Sequence, residues 1–169
     1  MNYKDSIPNW LYDYLGISIP NEGDEIDLSG QNFIFNKGIL RNQLLLSNTQ
    51  AQTEETFGFK WEKRNTFDSE ASLARVKSWL IERYGDVLKS DWLNEHGYNL
   101  IIIDAGCGAG LSALELFRHY LSKTRHLGID VSSSVDVAAT RFAERKTPGA
   151  FMQVDVSNPP FPSNSVDMI

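Results

Sequence analysis

Apolar and polar positions change rhythm twice along this chain. Through residues 1–45, Pro8, Gly16, Pro20, Gly23, Gly30 and Gly38 interrupt the chain every few positions, a spacing no long helix survives. Ile26-Asp27-Leu28 and Asn32-Phe33-Ile34-Phe35 are predicted to be two short strands joined at Ser29-Gly30, and residues 8–15 a short helix with Pro8 in its first turn. Residues 47–61 read as a polar linker ending in the aromatics Phe57, Phe59 and Trp61. Asp68 or Ser69 then caps a helix in which Leu73, Val76, Leu80 and Tyr84 recur at helical spacing until Gly85. A shorter helix through Val87, Leu88, Trp92 and Leu93 stops at Gly97, and each helix carries one apolar stripe that needs a sheet to cover.

From Asn99 the rhythm becomes that of strand and helix in alternation. Leu100-Ile101-Ile102-Ile103 is a continuous apolar run, as expected of a parallel strand buried on both faces. A glycine-rich turn follows, then a helical pattern through Leu111, Leu114, Leu116, Phe117 and Tyr120. Arg125–Asp130 is a second strand, Val131–Lys146 a helix with Val135, Ala138, Ala139 and Phe142 inward, and Phe151–Asp155 a third strand. Val166–Ile169 begins a fourth. This order predicts an α/β protein with a doubly wound, Rossmann-like parallel sheet, preceded by a small β-rich module and a helical lead-in. The expected division is 1–46 for the module, 47–68 for the linker and 69–169 for the sheet domain.

Composition narrows the function classes. A single cysteine among 169 residues excludes a disulfide framework and any thiolate-based zinc site, so no metal is expected. The longest apolar run, Leu100–Ile103, is far short of a membrane span, and the N-terminus lacks the apolar core of a signal peptide; a cytoplasmic location is expected. The net charge of −6 resides mostly in the first 30 residues, where six acids face Lys4 alone. No basic stripe is present to neutralise a run of phosphates, which argues against a nucleic-acid partner. His96, His119 and His126 sit among polar neighbours and are expected at the surface.

The chemistry concentrates at Asp104-Ala105-Gly106-Cys107-Gly108-Ala109-Gly110. A strand running into Gly-x-Gly-x-Gly and then a helix lets a ligand lie against bare peptide groups at a helix N-terminus. Leu111 stands where a dinucleotide fingerprint would place its last glycine, which disfavours an NAD-dependent dehydrogenase. Asp104 at the end of the first strand would repel a pyrophosphate but suits a cationic ligand. Asp130 ends the second strand, placed to accept hydrogen bonds from a ribose diol, and Asp155 ends the third, placed to meet an adenine amino group. Carboxylates at three strand ends beside a glycine turn suit a nucleoside that also carries positive charge. Cys107, between glycines, is expected to serve packing.

Residues 101–110 (Ile-Ile-Ile-Asp-Ala-Gly-Cys-Gly-Ala-Gly), 127–132 (Leu-Gly-Ile-Asp-Val-Ser) and 154–161 (Val-Asp-Val-Ser-Asn-Pro-Pro-Phe) together resemble the class I S-adenosylmethionine-dependent methyltransferases. Residues 163–169 look like that family's approach to its fourth strand, and residues 30–61 are similar to an N-terminal β module found in a subset of it. In relatives that module often carries zinc-binding cysteine pairs, which this sequence lacks. The resemblance implies S-adenosylmethionine as cofactor and methyl transfer as the reaction. It implies that Asp104, Gly106, Cys107, Gly108 and Gly110 line the methionine portion and its turn. It further implies that Asp130 binds the ribose and Val131 flanks the adenine, while Asp155 and the Val156 backbone read the adenine edge. The expected acceptor is a small molecule or a glycan or lipid precursor; no catalytic residue is assigned. The alternative from another class is a non-catalytic module that binds the cofactor or a partner chain. Because the family's sheet has seven strands and this sequence stops in its fourth, the 169 residues are expected to be a fragment. Alone they are expected to be inactive and to associate through the fourth-strand edge.

Overall fold

The computed structural model describes residues 8–44, 69–96 and 98–169. The predicted linker 47–61 with its aromatic trio, Asp68 and Gly97 lie outside the described residues. Helix α1 (Trp10–Leu15) begins two residues after Pro8 and ends at Gly16 in the left-handed conformation. Strands β1 (Glu25–Leu28) and β2 (Gln31–Asn36) form the predicted hairpin around Ser29-Gly30, with Phe33 and Phe35 buried on alternate positions. Strand β3 (Ile39–Asn42) pairs antiparallel with β2. Helix α2 (Glu70–Tyr84) is capped by the Ser69 hydroxyl, which accepts from the Ser72 amide, and stops at Gly85. The short helix α3 (Asp91–His96) follows a single 3-10 turn over Val87–Lys89.

The parallel part contains β4 (Ile101–Ala105), β5 (Arg125–Asp130) and β6 (Ala150–Gln153). Between them lie α4 (Leu111–Leu116), α5 (Arg118–Leu121) and α6 (Ser134–Glu144). The helical run expected from Leu111 to Tyr120 is divided at Phe117, whose ring packs into the cluster beneath α4. The helix expected from Val131 starts only at Ser134, because the Ser132 amide and hydroxyl both bond to the Asp130 carboxylate instead of joining a helical ladder.

The sheet order is β1-β2-β3-β6-β5-β4. Met168 adds a parallel bridge to Ile102 on the far side of β4, as predicted for the start of a fourth parallel strand. The β-rich N-terminal strands therefore extend the same sheet: β3 pairs parallel with β6, Leu40 opposite Met152 and Arg41 opposite Gln153. One face is a single apolar layer in which Leu11, Phe33, Phe35 and Leu40 pack with Ile103, Leu127, Ile129, Met152 and Val154. The other face carries Ile39, Cys107, Leu114, Val135, Ala138, Phe142 and Phe151 under α4 and α6. Fully burying one such aliphatic or aromatic side chain contributes about 1.5–3 kcal/mol.

The lead-in helices are less covered than their stripes predict. Leu80 and Leu93 are buried, whereas Trp79, Tyr84, Leu88 and Trp92 are exposed. Among the described residues, helix α2 rests mainly on α4. No helix among the described residues is long and apolar enough to cross a membrane.

Candidate functional site

The glycine turn is built by β5 as much as by its own sequence. The amides of Gly106 and Cys107 both donate to the Ile129 carbonyl, at 2.8 and 3.0 Å. The Gly108 amide donates to Asp130 Oδ2 at 2.9 Å. Gly106 has φ +75°, a conformation L side chains rarely adopt, and a Cβ there would meet nothing within 4 Å. The turn is thus open on the Gly106 side. Gly110 differs: at φ +73°, its Cβ would lie 3.1 Å from both Ala138 and Phe142, so this glycine permits the start of α4 to approach α6.

Asp130 is the hub. Its Oδ1 accepts from the Ser132 amide at 2.8 Å and the Ser132 hydroxyl at 2.7 Å, and its Oδ2 accepts from Gly108. A carboxylate offers about four acceptor positions, so capacity remains beyond these bonds. Ser132 in turn accepts from Ser134 at 2.6 Å. The third strand, expected to run to Asp155, ends at Gln153; just after it Val154 donates to the Asp130 carbonyl at 2.9 Å, which sets Asp155 beside the end of β5. Asp155 Oδ1 accepts from the Ser157 amide and hydroxyl at 2.8 and 2.7 Å; Val131 is half-buried and Val156 exposed. Asp104 sits opposite Gly128 in the β4–β5 register, so the strand order brings Asp104, Asp130 and the glycine turn together at one end of the sheet.

Cys107 contributes its backbone rather than its thiol. The Sγ lies under the turn, 3.0 Å from where a Gly128 Cβ would stand. Burial pushes the thiol pKa well above its ordinary value, and the charges of Asp104 and Asp130 push it further. Cys107 is expected to resist a disulfide-exchange reagent at mildly alkaline pH in the native protein and to react as one thiol after unfolding. Rapid native-state labelling would contradict this placement.

Two side chains depart from the sequence reading. His126, expected at the surface, is 2% exposed. Its ring stacks on Phe142 with centroids 5.1 Å apart and meets Phe151 edge-on. Its Nε2 stands 3.8 Å from Asp104 Oδ2, and neither atom has a hydrogen-bond partner. The reason was present in the strand itself: a parallel strand covered on both faces buries every central position, polar or not. Arg141 went unremarked, yet it is 1% exposed and donates through Nη1 to the Ala109 carbonyl at 3.0 Å. It stands one helical turn after Ala138 on the inward face of α6, and a cation at such a position is the signal that marks it. His96 and His119 are exposed as expected.

Among the described residues no group of His, Cys, Asp and Glu could hold a metal ion. A cleft of about 330 Å³ lies away from the glycine turn, between α2 and α4–α5, lined by Lys77, Ile81, Leu88, Glu115 and Arg118 among others.

The family model described as "Methyltransferase domain" matches residues 102–169, which contain the glycine turn and all three strand-end carboxylates. The match spans 68 of the chain's 169 residues. None of the curated proteins matches the sequence. Among solved structures, the MccD protein is 25% identical over 44% of this chain and 34% of its own, with a TM-score of 0.36. Magnesium protoporphyrin IX methyltransferase from Synechocystis PCC 6803, solved with SAH bound, is 18% identical over 65% of this chain and 53% of its own, with a TM-score of 0.43. The plantazolicin methyltransferase BpumL, also solved with SAH, is 17% identical over 69% of this chain and 47% of its own, at 0.34. The chain thus spans between about a third and a half of the length of these structures. The N-terminal strands lie outside the matched residues, yet β3 is hydrogen-bonded to β6 within them.

Proposed function

We propose that this chain forms the cofactor-binding part of an S-adenosylmethionine-dependent methyltransferase. The observation that carries this reading is Asp130, a carboxylate bonded to Gly108 of the glycine turn and to Ser132, with acceptor capacity left for a ribose diol. The open space at Gly106 fits a ligand lying against the turn. Gly106, Gly108 and the Cys107 backbone would line the methionine portion with Asp104, while Gly110 holds the turn against α6. Asp130 would bind the ribose, Val131 would flank the adenine, and Asp155 with the Val156 backbone would meet its edge. When bound, S-adenosylmethionine supplies an electrophilic methyl group on its sulfonium centre. The chain's share is to hold and orient it by shape and hydrogen bonds.

We further propose a small-molecule or glycan or lipid-precursor acceptor, and action in the cytoplasm. The absence of a basic stripe supports that acceptor class over nucleic acid. Transfer found only to RNA or DNA in an acceptor panel would defeat it.

Calorimetry with S-adenosylhomocysteine tests the cofactor. Asp130→Ala is expected to weaken binding by about 1–3 kcal/mol, the range for charge-assisted hydrogen bonds lost to a ligand. Asp130→Asn should lose less, since its amide oxygen still accepts. Tight NAD binding with no response to S-adenosylhomocysteine would refute the assignment.

A further inference from the structure

We propose that Arg41, on the N-terminal strand β3, is a positioning residue for the adenosine half of the cofactor site. The inference rests on the cofactor reading above. Arg41 is held in a two-pronged ion pair with Asp136 of α6, Nη2 to Oδ1 at 2.7 Å and Nη1 to Oδ2 at 3.1 Å. The same Nη1 donates to Gln153 Oε1 at 2.9 Å, across the β3–β6 register that places the two residues opposite each other. Gln153 Nε2 then donates to the Val131 carbonyl at 3.1 Å.

The chemistry of each group forces the direction of this chain. A guanidinium can only donate, so Gln153 must turn its oxygen toward Arg41 and its NH2 toward Val131. A backbone carbonyl can only accept, so the second bond demands the same amide orientation. The Val131 carbonyl and the Ser132 N–H belong to one planar peptide unit. Fixing that carbonyl therefore fixes the direction of the Ser132 N–H, which donates to Asp130 Oδ1 at 2.8 Å. The route from Arg41 ends on the carboxylate assigned to the ribose. Its ion pair with Asp136 meanwhile holds the first turn of α6, directly after the Asp130–Ser132 turn. Without Arg41, the Gln153 amide loses the partner that holds it in the same orientation from its other end. Arg41 lies outside the matched family residues, so the role belongs to the N-terminal strands of this chain.

Gln153→Glu separates positioning from stability. The carboxylate keeps an acceptor for Arg41 and adds charge to that contact, but it cannot donate to the Val131 carbonyl. Thermal stability is expected to stay near that of the unaltered chain. The affinities for S-adenosylhomocysteine and for free adenosine are both expected to fall about tenfold, the scale of one hydrogen bond. Amide exchange at Ser132 is expected to quicken. Arg41→Met should show the same two effects together with a lower melting temperature. In an Asp130→Ala background, Gln153→Glu is expected to change affinity no further.

Binding by the unaltered chain that Gln153→Glu leaves unchanged overturns the positioning role alone. A loss of affinity without faster exchange at Ser132 also overturns it, because the route runs through that peptide. If the unaltered chain binds neither S-adenosylhomocysteine nor adenosine, the cofactor reading fails and the role falls with it.

Discussion

Replacing Phe33 with alanine is expected to destabilise the whole described fold, not only the N-terminal hairpin. Phe33 is completely buried, in the layer that also holds Leu127, Ile129 and Met152 of the parallel strands. Truncating a buried phenylalanine costs about 3–5 kcal/mol, through lost transfer free energy and the cavity left behind. A domain has only about 5–15 kcal/mol of stability in total, so the substitution removes a large share of it. Since β3 is hydrogen-bonded to β6, hairpin and parallel strands should unfold as one unit. Denaturant titrations followed by far-ultraviolet circular dichroism and by tryptophan fluorescence are expected to shift together in Phe33→Ala. A separate early transition, leaving the parallel strands native, would show that the N-terminal strands are an independent unit.

Gly128→Ala is expected to be nearly as damaging for the opposite reason, too much volume. A Cβ at Gly128 would stand 2.7 Å from two atoms of the Phe151 ring and 3.0 Å from Cys107 Sγ. The ring cannot swing away easily, because Phe142 packs against it with centroids 5.0 Å apart. Overpacking of this kind costs about 1–3 kcal/mol for one added methyl in a tight core, and Gly128→Val should cost more. Gly128 also lies under the glycine turn, so relief of the clash would lift Cys107 and with it the turn. The measurement is paired: a lower denaturation midpoint, and weaker S-adenosylhomocysteine binding at a temperature where the variant remains folded. A variant as stable as the parent would mean that Phe151 has room the geometry does not show.

The parallel strands, their helices and the strand-end carboxylates were legible because each is a local pattern. Leu100–Ile103 is an apolar run, Leu127 and Ile129 mark a second strand that follows the first helical pattern, and Gly-x-Gly-x-Gly marks the turn between strand and helix. Strand β3 was not legible as part of the parallel sheet, since the strand it joins lies more than a hundred residues further along the chain. Nothing local to Ile39–Asn42 states that partner. The aromatic side chains of α2 and α3 misled in the other direction. Their spacing is helical, but a spacing reports only which residues share a face and not whether that face is covered, and Tyr84 and Trp92 stay exposed.

What the sequence determined by itself is the strand–helix alternation from Ile101 onward, the parallel α/β class and the place of the glycine turn, with Asp104 near the end of β4 and Asp130 at the end of β5. These follow from periodicity and turn chemistry, which act over a few residues. Asp155, expected to end the third strand, lies two residues past it. Only the tertiary structure decided what those groups touch. It turned the Cys107 thiol into the core, and it buried His126 beside Asp104 and Arg141 beneath the Ala109 carbonyl. It also joined Arg41 through Gln153 to the peptide that bonds Asp130. Each of these contacts brings together residues far apart in the chain, and their positions follow from sheet register and helix packing, which no short stretch of sequence encodes.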